Sequence, residues 1–578
     1  MAKEISMIRL LGYQDFFPGD NQDTKDACAM HIGREVIETF CCFFLGFFRH
    51  GAIPAPIRLL KIWFTFMDRS YLASPSYWQL VNQYIRIIET HPGEEHVILS
   101  EEALLNMFLW ANSNNDIPAK LEHVDATIML RLFQFNLIFN EDVLSNYQKA
   151  VDSSMLYEDK HMQRQLLATS FPQNDLVNVD YAQLIFAQLY KLVHLLKFLE
   201  ETKSYELLYK YFLNDFGCNS KEEFIKAIGG AVFLPFKGKV PGWTALVIDK
   251  ANDMQKSEDF LNKLTIEPDE VTIDQNDYLQ LRNKPFQKLE NGEYRVIFDL
   301  FLVKKLYNGL IFKLSDYSNK DETLIKGFLG KIRGEFSEEV LVYDTLSRTF
   351  KPTCAIIKTG SEFNAAGLDR EPDFFARKDN NILLFESKDI YMPGASKLSY
   401  DFATIEGELR KDGRLGKAVK QLNRNIERAI AKQLILDTDY DVTLLKIYPV
   451  IIVHDSLYSA PCLNYWVNTW IVDEIGALKE LDVFPGFDYS RIMPVTLVEI
   501  DTLILYLHHF ETGQLNLIDL LDLYHQHVRL DLQGAEADQH IFQSCIPFSE
   551  FTRDRGYEIG INLNIETLKT LYRDCGIG

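Results

Sequence analysis

The chain has 578 residues with a formal net charge of −22, and its isoelectric point is about 5.1. This balance excludes a uniformly basic surface that would bind nucleic acid through its phosphates, so any basic surface must be local or supplied by a partner. The length suggests about three or four domains, and the 47% hydrophobic composition is ample for large cores.

The cysteines and the N-terminal sequence bear on cellular location. The eight cysteines show no C-x₂-C spacing of a zinc site, and a chain of this size does not need disulfides for stability. We therefore expect reduced core cysteines, as in a cytoplasmic protein. The N-terminus has no signal-peptide pattern. The most apolar run, residues 36–48, contains Glu38 and is too short to span a bilayer, which predicts a buried helix and no membrane association.

Residues 1–228 predict a large α-helical module. Ser74 and Pro75 form a helix start, Asp180 precedes a long apolar-periodic segment, and Ser220 with Glu223 has the spacing of a capping box. The module carries no ligand-site motif, and we interpret it as a scaffold or as a surface for a protein partner or homo-oligomer. Residues 229–324 form a mixed bridging region, and residues 526–578 a small appendage of unassigned role.

The most informative stretch lies between residues 371 and 388. A short strand and a longer apolar strand flank a polar turn, and a turn centred on Asp379 and Asn380 places Asp373 directly opposite Glu386. Opposed side chains have Cβ atoms about 4.5–5.5 Å apart, and two such carboxylates repel unless a positive charge lies between them. Lys388 shares the face of Glu386, because side chains alternate along a strand. A hard divalent cation, which prefers oxygen ligands, would offset the repulsion between the two carboxylates.

The motif Pro372-Asp373 followed by Glu386-Ser387-Lys388 resembles that of the PD-(D/E)xK nuclease superfamily, which has the restriction-endonuclease-like fold. The resemblance covers about residues 325–525, and its specific part is short. It implies that Asp373 and Glu386 hold Mg²⁺, with Mn²⁺ as a substitute, and that the Ser387 carbonyl adds a ligand. Lys388 would position or deprotonate the attacking water. The structural alternative is an ordinary surface hairpin with charged ends.

Two helices complete the predicted site. Nucleases of this type often carry an acidic residue on the opening helix, here residues 331–350, and Glu339 is the candidate, with Glu335 one turn earlier as the alternative. The alternative is that Glu335, Glu338 and Glu339 are all simply solvated and have no part in the site.

The second is a basic helix that follows the motif. Several related families place a Gln-x-x-x-Tyr helix there. Gln421 matches the glutamine, but Asn425 stands where the tyrosine would be, which leaves the subfamily open. Lys417, Arg424 and Arg428 recur on one face and predict phosphate contacts, the alternative being a solvated amphipathic helix.

Residues 444–453 and 492–500 predict further strands, and Asp501 is expected to cap the helix that begins at Thr502. The His454-Asp455 pair at a strand end lacks a partner motif, and we interpret it as structural. The fold class is thus multidomain, with a large α-helical N-terminal part and an α/β restriction-endonuclease-like domain that has a mixed central sheet.

The function expected from the resemblance is that of a Mg²⁺-dependent endonuclease, a hydrolase acting on nucleic acid, with DNA favoured over RNA. A defence or restriction-type role controlled through the helical module is an analogy from the superfamily. The competing function is a non-catalytic scaffold that keeps the nuclease fold and binds nucleic acid or protein. The acidic charge favours an enzyme that stays silent until a partner engages the helical module.

Overall fold

The protein is described from a computed structural model of the chain. The description covers residues 8–20, 24–48, 54–121, 123–177, 179–237, 242, 244–248, 254–267, 270–271, 277–480, 483–530 and 540–558. The chain divides into two compact units. Unit 1 comprises Met1–Lys149, Leu176–Tyr181 and Leu213–Gly309, and unit 2 comprises Ala150–Asp175, Ala182–Phe212 and Leu310–Gly578.

Helices account for most of the regular structure. Up to residue 320 they are α1 (Tyr13–Phe16), α2 (Lys25–Ala29), α3 (Arg34–Phe48), α4 (Pro56–Thr65), α5 (Pro75–Thr90), α6 (Glu101–Ser113), α7 (Ala126–Ser154), α8 (His161–Ser170), α9 (Tyr181–Glu201), α10 (Glu206–Asp215), α11 (Lys221–Lys237), α12 (Met254–Asn262), α13 (Leu279–Asn283), α14 (Asp299–Lys304) and α15 (Asn308–Lys320). After residue 320 they are α16 (Phe328–Ile332), a π-helical segment (Arg333–Val342), α17 (Tyr343–Phe350), α18 (Gly360–Ala365), α19 (Gly394–Lys397), α20 (Phe402–Arg410), α21 (Leu415–Ile430), α22 (Leu463–Glu480), α23 (Ile500–Glu511), α24 (Leu517–Val528), α25 (Ile541–Ser544) and α26 (Phe548–Glu558).

The strands form three sheets. They are β1 (Ile8–Leu10), β2 (Glu95–Val97), β3 (Ala245–Leu246), β4 (Phe286–Lys288), β5 (Tyr294–Val296), β6 (Ile356–Thr359), β7 (Phe374–Lys378), β8 (Asn381–Lys388), β9 (Lys446–Val453) and β10 (Thr496–Glu499). Unit 1 contains the parallel pair β1–β2 and the antiparallel sheet β3–β5–β4, and unit 2 contains a five-stranded sheet in the order β10–β9–β8–β7–β6.

Unit 1 is largely helical, as the sequence predicts. The expected helix start is present, because the Ser74 hydroxyl accepts from the main-chain N–H of Tyr77 and Pro75 occupies the first helical position. The apolar run at residues 36–48 lies within α3, where Phe40 packs on Trp63 with ring centroids 4.2 Å apart. Aromatic burial of this kind, roughly 1.5–3 kcal/mol for each side chain, stabilises a helix whose own propensity is modest.

The sheet of unit 2 is mixed. β6, β7 and β8 are antiparallel neighbours, whereas β8, β9 and β10 run parallel. Residues 382–385 of β8 are fully buried, which fits a central strand covered on both faces. Phe350 of α17 meets Phe385 on one face with ring centroids 5.6 Å apart, and Asn425 of α21 reaches Glu386 on the other. A helical part together with an α/β part that has a mixed sheet is therefore present.

The two units are divided differently from the predicted domains. Residues 150–175 and 182–212, which we assigned to the N-terminal helical module, belong to unit 2. Contacts between residues far apart in sequence explain this membership. The Tyr205 hydroxyl donates to Glu335 at 3.0 Å, and Lys191 pairs with Asp501 at 2.7 Å. Periodicity marks a helix, but it does not identify the core against which the helix packs.

Two local predictions are wrong. Asp501 does not cap a helix, because α23 begins at Ile500 after Glu499, and its carboxylate instead pairs with Lys191. The cysteines are not all reduced, since Cys462 and Cys545 form a disulfide. Their separation of 83 residues is closed only by folding, so no local spacing could reveal the pair. The other cysteines of the described ranges keep their thiols.

Across the described ranges, no helix combines the length and apolar character needed to cross a bilayer. The cytoplasmic location stays a prediction.

Candidate active site

The hairpin of β7 and β8 has the predicted register. Phe374 pairs with Phe385 and Lys378 with Asn381, so the two-residue turn consists of Asp379 and Asn380. Asp379 has a φ of 54°, a left-handed conformation that aspartate tolerates well in turns. Continuing the register one residue places Asp373 opposite Glu386, as the sequence analysis predicts. Both carboxylates therefore lie at the open end of the hairpin.

Each carboxylate has a donor of its own. The main-chain N–H of Ser387 donates to Asp373 Oδ2 at 2.6 Å, and Asn425 Nδ2 donates to Glu386 Oε1 at 3.2 Å. Lys388 Nζ lies 3.5 Å from Glu386 Oε2 and donates to the carbonyl of Ser387 at 3.0 Å. The ammonium group thus sits beside the carboxylate pair, on the side predicted from strand alternation.

Burial dominates the electrostatics of this pair. Glu386 is fully buried, and its pKa is raised well above the usual range by burial and by the negative charge of Asp373. Burial also raises the pKa of Asp373, against the opposing effects of Lys388 and the Ser387 N–H. Two carboxylates held together away from water are costly, because each disfavours the ionised form of the other. Neighbouring carboxyl groups with raised pKa values are typical of a site that binds a cation or moves a proton.

A third carboxylate belongs to Glu338. Burial and the charge of Asp373 raise the pKa of Glu338 to about 7, with Lys388 acting in the opposite direction. The Tyr343 hydroxyl donates to Glu338 Oε1 at 2.9 Å and orients the carboxylate. This group can therefore hold or release a proton near neutral pH.

The structure does not bring the predicted helix acids to the site. Glu339 is exposed, and Glu335 accepts a hydrogen bond from Tyr205 instead. The cause is the π-helical segment Arg333–Val342, which we expected to be α-helical. Its i→i+5 hydrogen bonds widen each turn, so a face chosen by α-helical spacing is rotated away. Glu338 takes the position that the sequence analysis assigned to Glu339.

Close backbone packing fixes the main chain at Asp373. The N–H of Gly360 donates to the carbonyl of Asp373 at 2.8 Å. A Cβ atom at Gly360 would lie 2.9 Å from the Tyr343 hydroxyl and 3.2 Å from the carbonyls of Pro372 and Asp373. A side chain at this position would have to displace the Tyr343 hydroxyl and press on both carbonyls, so glycine suits the close approach of the two segments.

Helix α21 covers the site with a face different from the one predicted. Its apolar side chains are buried as expected, but Asn425 is also fully buried because it bonds Glu386. Gln421 lies one turn earlier, and its Oε1 is buried with no hydrogen-bond partner among the described residues. In the sequence, Asn425 stands out only as a departure from a family pattern. Its i+4 spacing from Gln421 was the signal that could have identified it.

The three predicted phosphate-binding residues of α21 have different surroundings. Lys417 is exposed and Arg424 is half-buried. Arg428 is half-buried too, but its guanidinium donates to the carbonyls of Asp369 and Arg370 at 2.7 and 2.8 Å. Lys417 and Arg424 thus remain candidates for phosphate contacts, whereas Arg428 is engaged with the loop that leads into Asp373.

His454 supports the site from the next strand. It follows β9, and its Nε2 and the Ser387 hydroxyl share a hydrogen bond 2.9 Å long. Burial lowers the pKa of His454, which keeps the imidazole neutral. This position agrees with the structural role predicted for the His454-Asp455 pair, and it identifies Ser387 as the partner of His454.

The donor chemistry fits a hard divalent cation. Carboxylate oxygens of Asp373 and Glu386 and the carbonyl of Ser387 are the oxygen ligands that Mg²⁺ and Mn²⁺ prefer. In the described part of the chain, no three or more His, Cys, Asp or Glu side chains are grouped to hold a metal. The predicted set is smaller than that, with two side chains and one main-chain oxygen. The costly proximity of the buried Glu386 carboxylate and the half-buried Asp373 carboxylate is the feature that a cation would relieve.

Comparison of the chain with protein-family models, with curated proteins and with solved structures gives no match, so a function has to be argued from the geometry of these residues.

Proposed function

We propose that this protein is a metal-dependent nuclease of the PD-(D/E)xK type, which hydrolyses phosphodiester bonds of nucleic acid, with DNA as the favoured substrate. The observation that carries the proposal is the pairing of Asp373 with Glu386 at the end of the β7–β8 hairpin, with Lys388 Nζ 3.5 Å from the second carboxylate. The three antiparallel strands β6, β7 and β8, followed along the chain by the basic helix α21 and then by β9, which is parallel to β8, support the same assignment.

Asp373, Glu386 and the Ser387 carbonyl would hold Mg²⁺ or Mn²⁺. A bound divalent cation supplies Lewis acidity, which polarises a phosphate oxygen and lowers the pKa of a bound water. Lys388 orients the attacking water or donates to the charge that develops on the phosphate. Asn425 keeps one oxygen of Glu386 in place, so that the other is directed toward Lys388.

Substrate contacts would come from α21. The exposed Lys417 and the half-buried Arg424 would contact phosphates, which fix the position of a nucleic acid without reading its sequence. A net charge of −22 opposes free access of nucleic acid to the site. That opposition supports control by a partner or an assembly that provides positive charge, as a defence-type effector would require.

Cleavage of plasmid DNA, single-stranded DNA and RNA in Mg²⁺ or Mn²⁺ tests the proposal. We expect metal-dependent cutting that Lys388→Ala reduces by at least about 100-fold. Lys378→Ala is the matched control, because it removes the same charge at the turn end of the same hairpin. Cutting that survives in both Lys388→Ala and Asp373→Ala would refute the proposal. Nucleic-acid binding without turnover would favour the scaffold instead.

The two neighbouring helix acids give a second prediction. Glu338→Gln is expected to lower cleavage about 10-fold or more and to change its pH dependence near neutral pH, because the group has a pKa of about 7. Glu339→Gln should leave the rate unchanged, since Glu339 is exposed. Rates measured for both variants between pH 6 and 9 decide between them. If Glu339→Gln lowered cleavage and Glu338→Gln did not, Glu339 would be the acid at the site, as α-helical spacing predicts.

A further inference from the structure

Helix α21 is joined to both elements that carry the carboxylate pair. Asn425 Nδ2 donates to Glu386 Oε1 on β8 at 3.2 Å. One turn later, Arg428 donates to two main-chain carbonyls, those of Asp369 and Arg370, in the loop that enters β7. A weaker contact of 3.4 Å between Arg428 Nη1 and Asn425 Oδ1 links the two side chains.

These bonds close a ring around the site. From Glu386 the ring passes through Asn425 and Arg428 to the loop before Asp373, and it returns from Asp373 through the Ser387 N–H. A closed ring has little freedom, so a shift of either carboxylate must break or stretch one of these bonds. The loop needs such support, because Arg370 has a φ of 56°, a conformation that costs roughly 1 kcal/mol or more in a residue other than glycine.

The surroundings of Arg428 argue against a phosphate-binding role. Two of its N–H groups are already used by carbonyl oxygens at normal hydrogen-bond lengths. A planar guanidinium can reach two carbonyls at once, which the single ammonium of lysine does not reproduce.

From this geometry we infer that Arg428 is a positioning residue, which acts through Asn425 and the Asp369–Arg370 loop to set the spacing of Asp373 and Glu386 for a divalent cation. The inference rests on the proposed function and deepens it. It reassigns Arg428 from substrate binding to control of the metal site.

The experiment compares Mn²⁺ affinity, measured by calorimetry on the full chain, with the kinetics of cleavage. Arg428→Ala and Arg428→Lys are both expected to weaken Mn²⁺ binding about 10- to 100-fold, the range typical of residues that orient metal ligands. Asn425→Ala should have a similar effect. Arg424→Ala is the matched control from the same helix, and it should leave Mn²⁺ affinity unchanged while raising KM for nucleic acid.

The outcomes separate this inference from its alternatives. If Arg428→Ala raised KM as Arg424→Ala does, with Mn²⁺ affinity intact and full recovery in Arg428→Lys, Arg428 would be a phosphate ligand and the inference would be overturned. Thermal unfolding of each variant shows whether a loss of affinity is merely a loss of fold. A wild-type chain that neither binds Mn²⁺ nor cleaves would overturn the proposed function and this inference together.

Discussion

Replacing Glu386 by glutamine is expected to abolish metal-dependent cleavage and, at the same time, to raise the free energy of unfolding of the metal-free protein. Cleavage should fall by about 1,000-fold or more, because one of the two carboxylates proposed to hold the metal is lost. Stability at pH 7 should rise by about 1–2 kcal/mol, because glutamine keeps the shape and removes a carboxyl group whose ionisation is disfavoured by burial and by Asp373 in the folded state. Function and stability thus oppose each other at this residue.

The stability gain should depend on pH with a definite sign. The raised pKa of Glu386 means that the folded state holds this proton more tightly than the unfolded chain, which releases it above about pH 4.3. The resulting penalty on folding grows as the pH rises from the unfolded pKa toward the folded pKa, and the advantage of glutamine grows over the same range. It should be small near pH 4 and larger at pH 7.

Urea unfolding in the presence of a chelator measures this gain. Glu339→Gln is the control, since the same substitution at an exposed neighbour should change stability by less than about 0.5 kcal/mol. Added Mn²⁺ should raise the Tm of the wild type and leave that of Glu386→Gln nearly unchanged. A variant that is destabilised at pH 7, or that gains as much from Mn²⁺ as the wild type, would contradict the assignment of Glu386 as a metal ligand.

Lys191→Met is expected to lower the stability of unit 2 by about 3–5 kcal/mol. The Lys191 side chain is 1% exposed, and its Nζ pairs with Asp501 at 2.7 Å. Its charge also opposes the effects of burial and of Asp501, which together raise the pKa of Glu499 to about 8. Removing the lysine leaves the carboxyl groups of Asp501 and Glu499 buried without a counter-charge. The free-energy cost of that unpaired charge exceeds the net stabilisation that the ion pair itself provides.

Two comparisons test the cause of that loss. Lys210→Met is the matched control, because Lys210 pairs with Glu206 on the surface with side chains 68% and 51% exposed, and such pairs contribute less than about 1 kcal/mol. The double variant Lys191→Met/Asp501→Leu should recover most of the loss, since an apolar pair of similar volume avoids the buried charge. Equal effects of Lys191→Met and Lys210→Met on the urea midpoint would show that burial of the pair is unimportant.

The sequence predicted the part of the site that depends on strand geometry. The register of Asp373 and Glu386 follows from a two-residue turn and from the alternation of side chains, both of which are local rules. The apolar face of α21 follows from helical spacing in the same way. These features could be predicted because each depends only on residues within a stretch of about twenty.

The missed features depend on geometry or contacts that local spacing does not encode. Glu338 replaces Glu339 because a π-helical segment changes the turn angle, and no residue in that segment signals it. Arg428 binds a loop almost sixty residues earlier in the chain, and Lys191 binds Asp501 across an even longer separation. Helical and strand periodicity show which face is apolar, but they do not identify the polar side chain that pairs with a buried charge.

The tight turn at Asp379 and Asn380 also restricts how this part of the chain can change over evolution. Both carboxylates are counted from that turn, so inserting or deleting one residue in either strand would send one of them to the opposite face of the sheet. A one-residue insertion or deletion within the hairpin is therefore tolerated only with a second one that returns both carboxylates to the same face. Length changes outside the hairpin are not restricted in this way. In diverging descendants of this chain, the distance between the two acids should vary far less than the sequence between them.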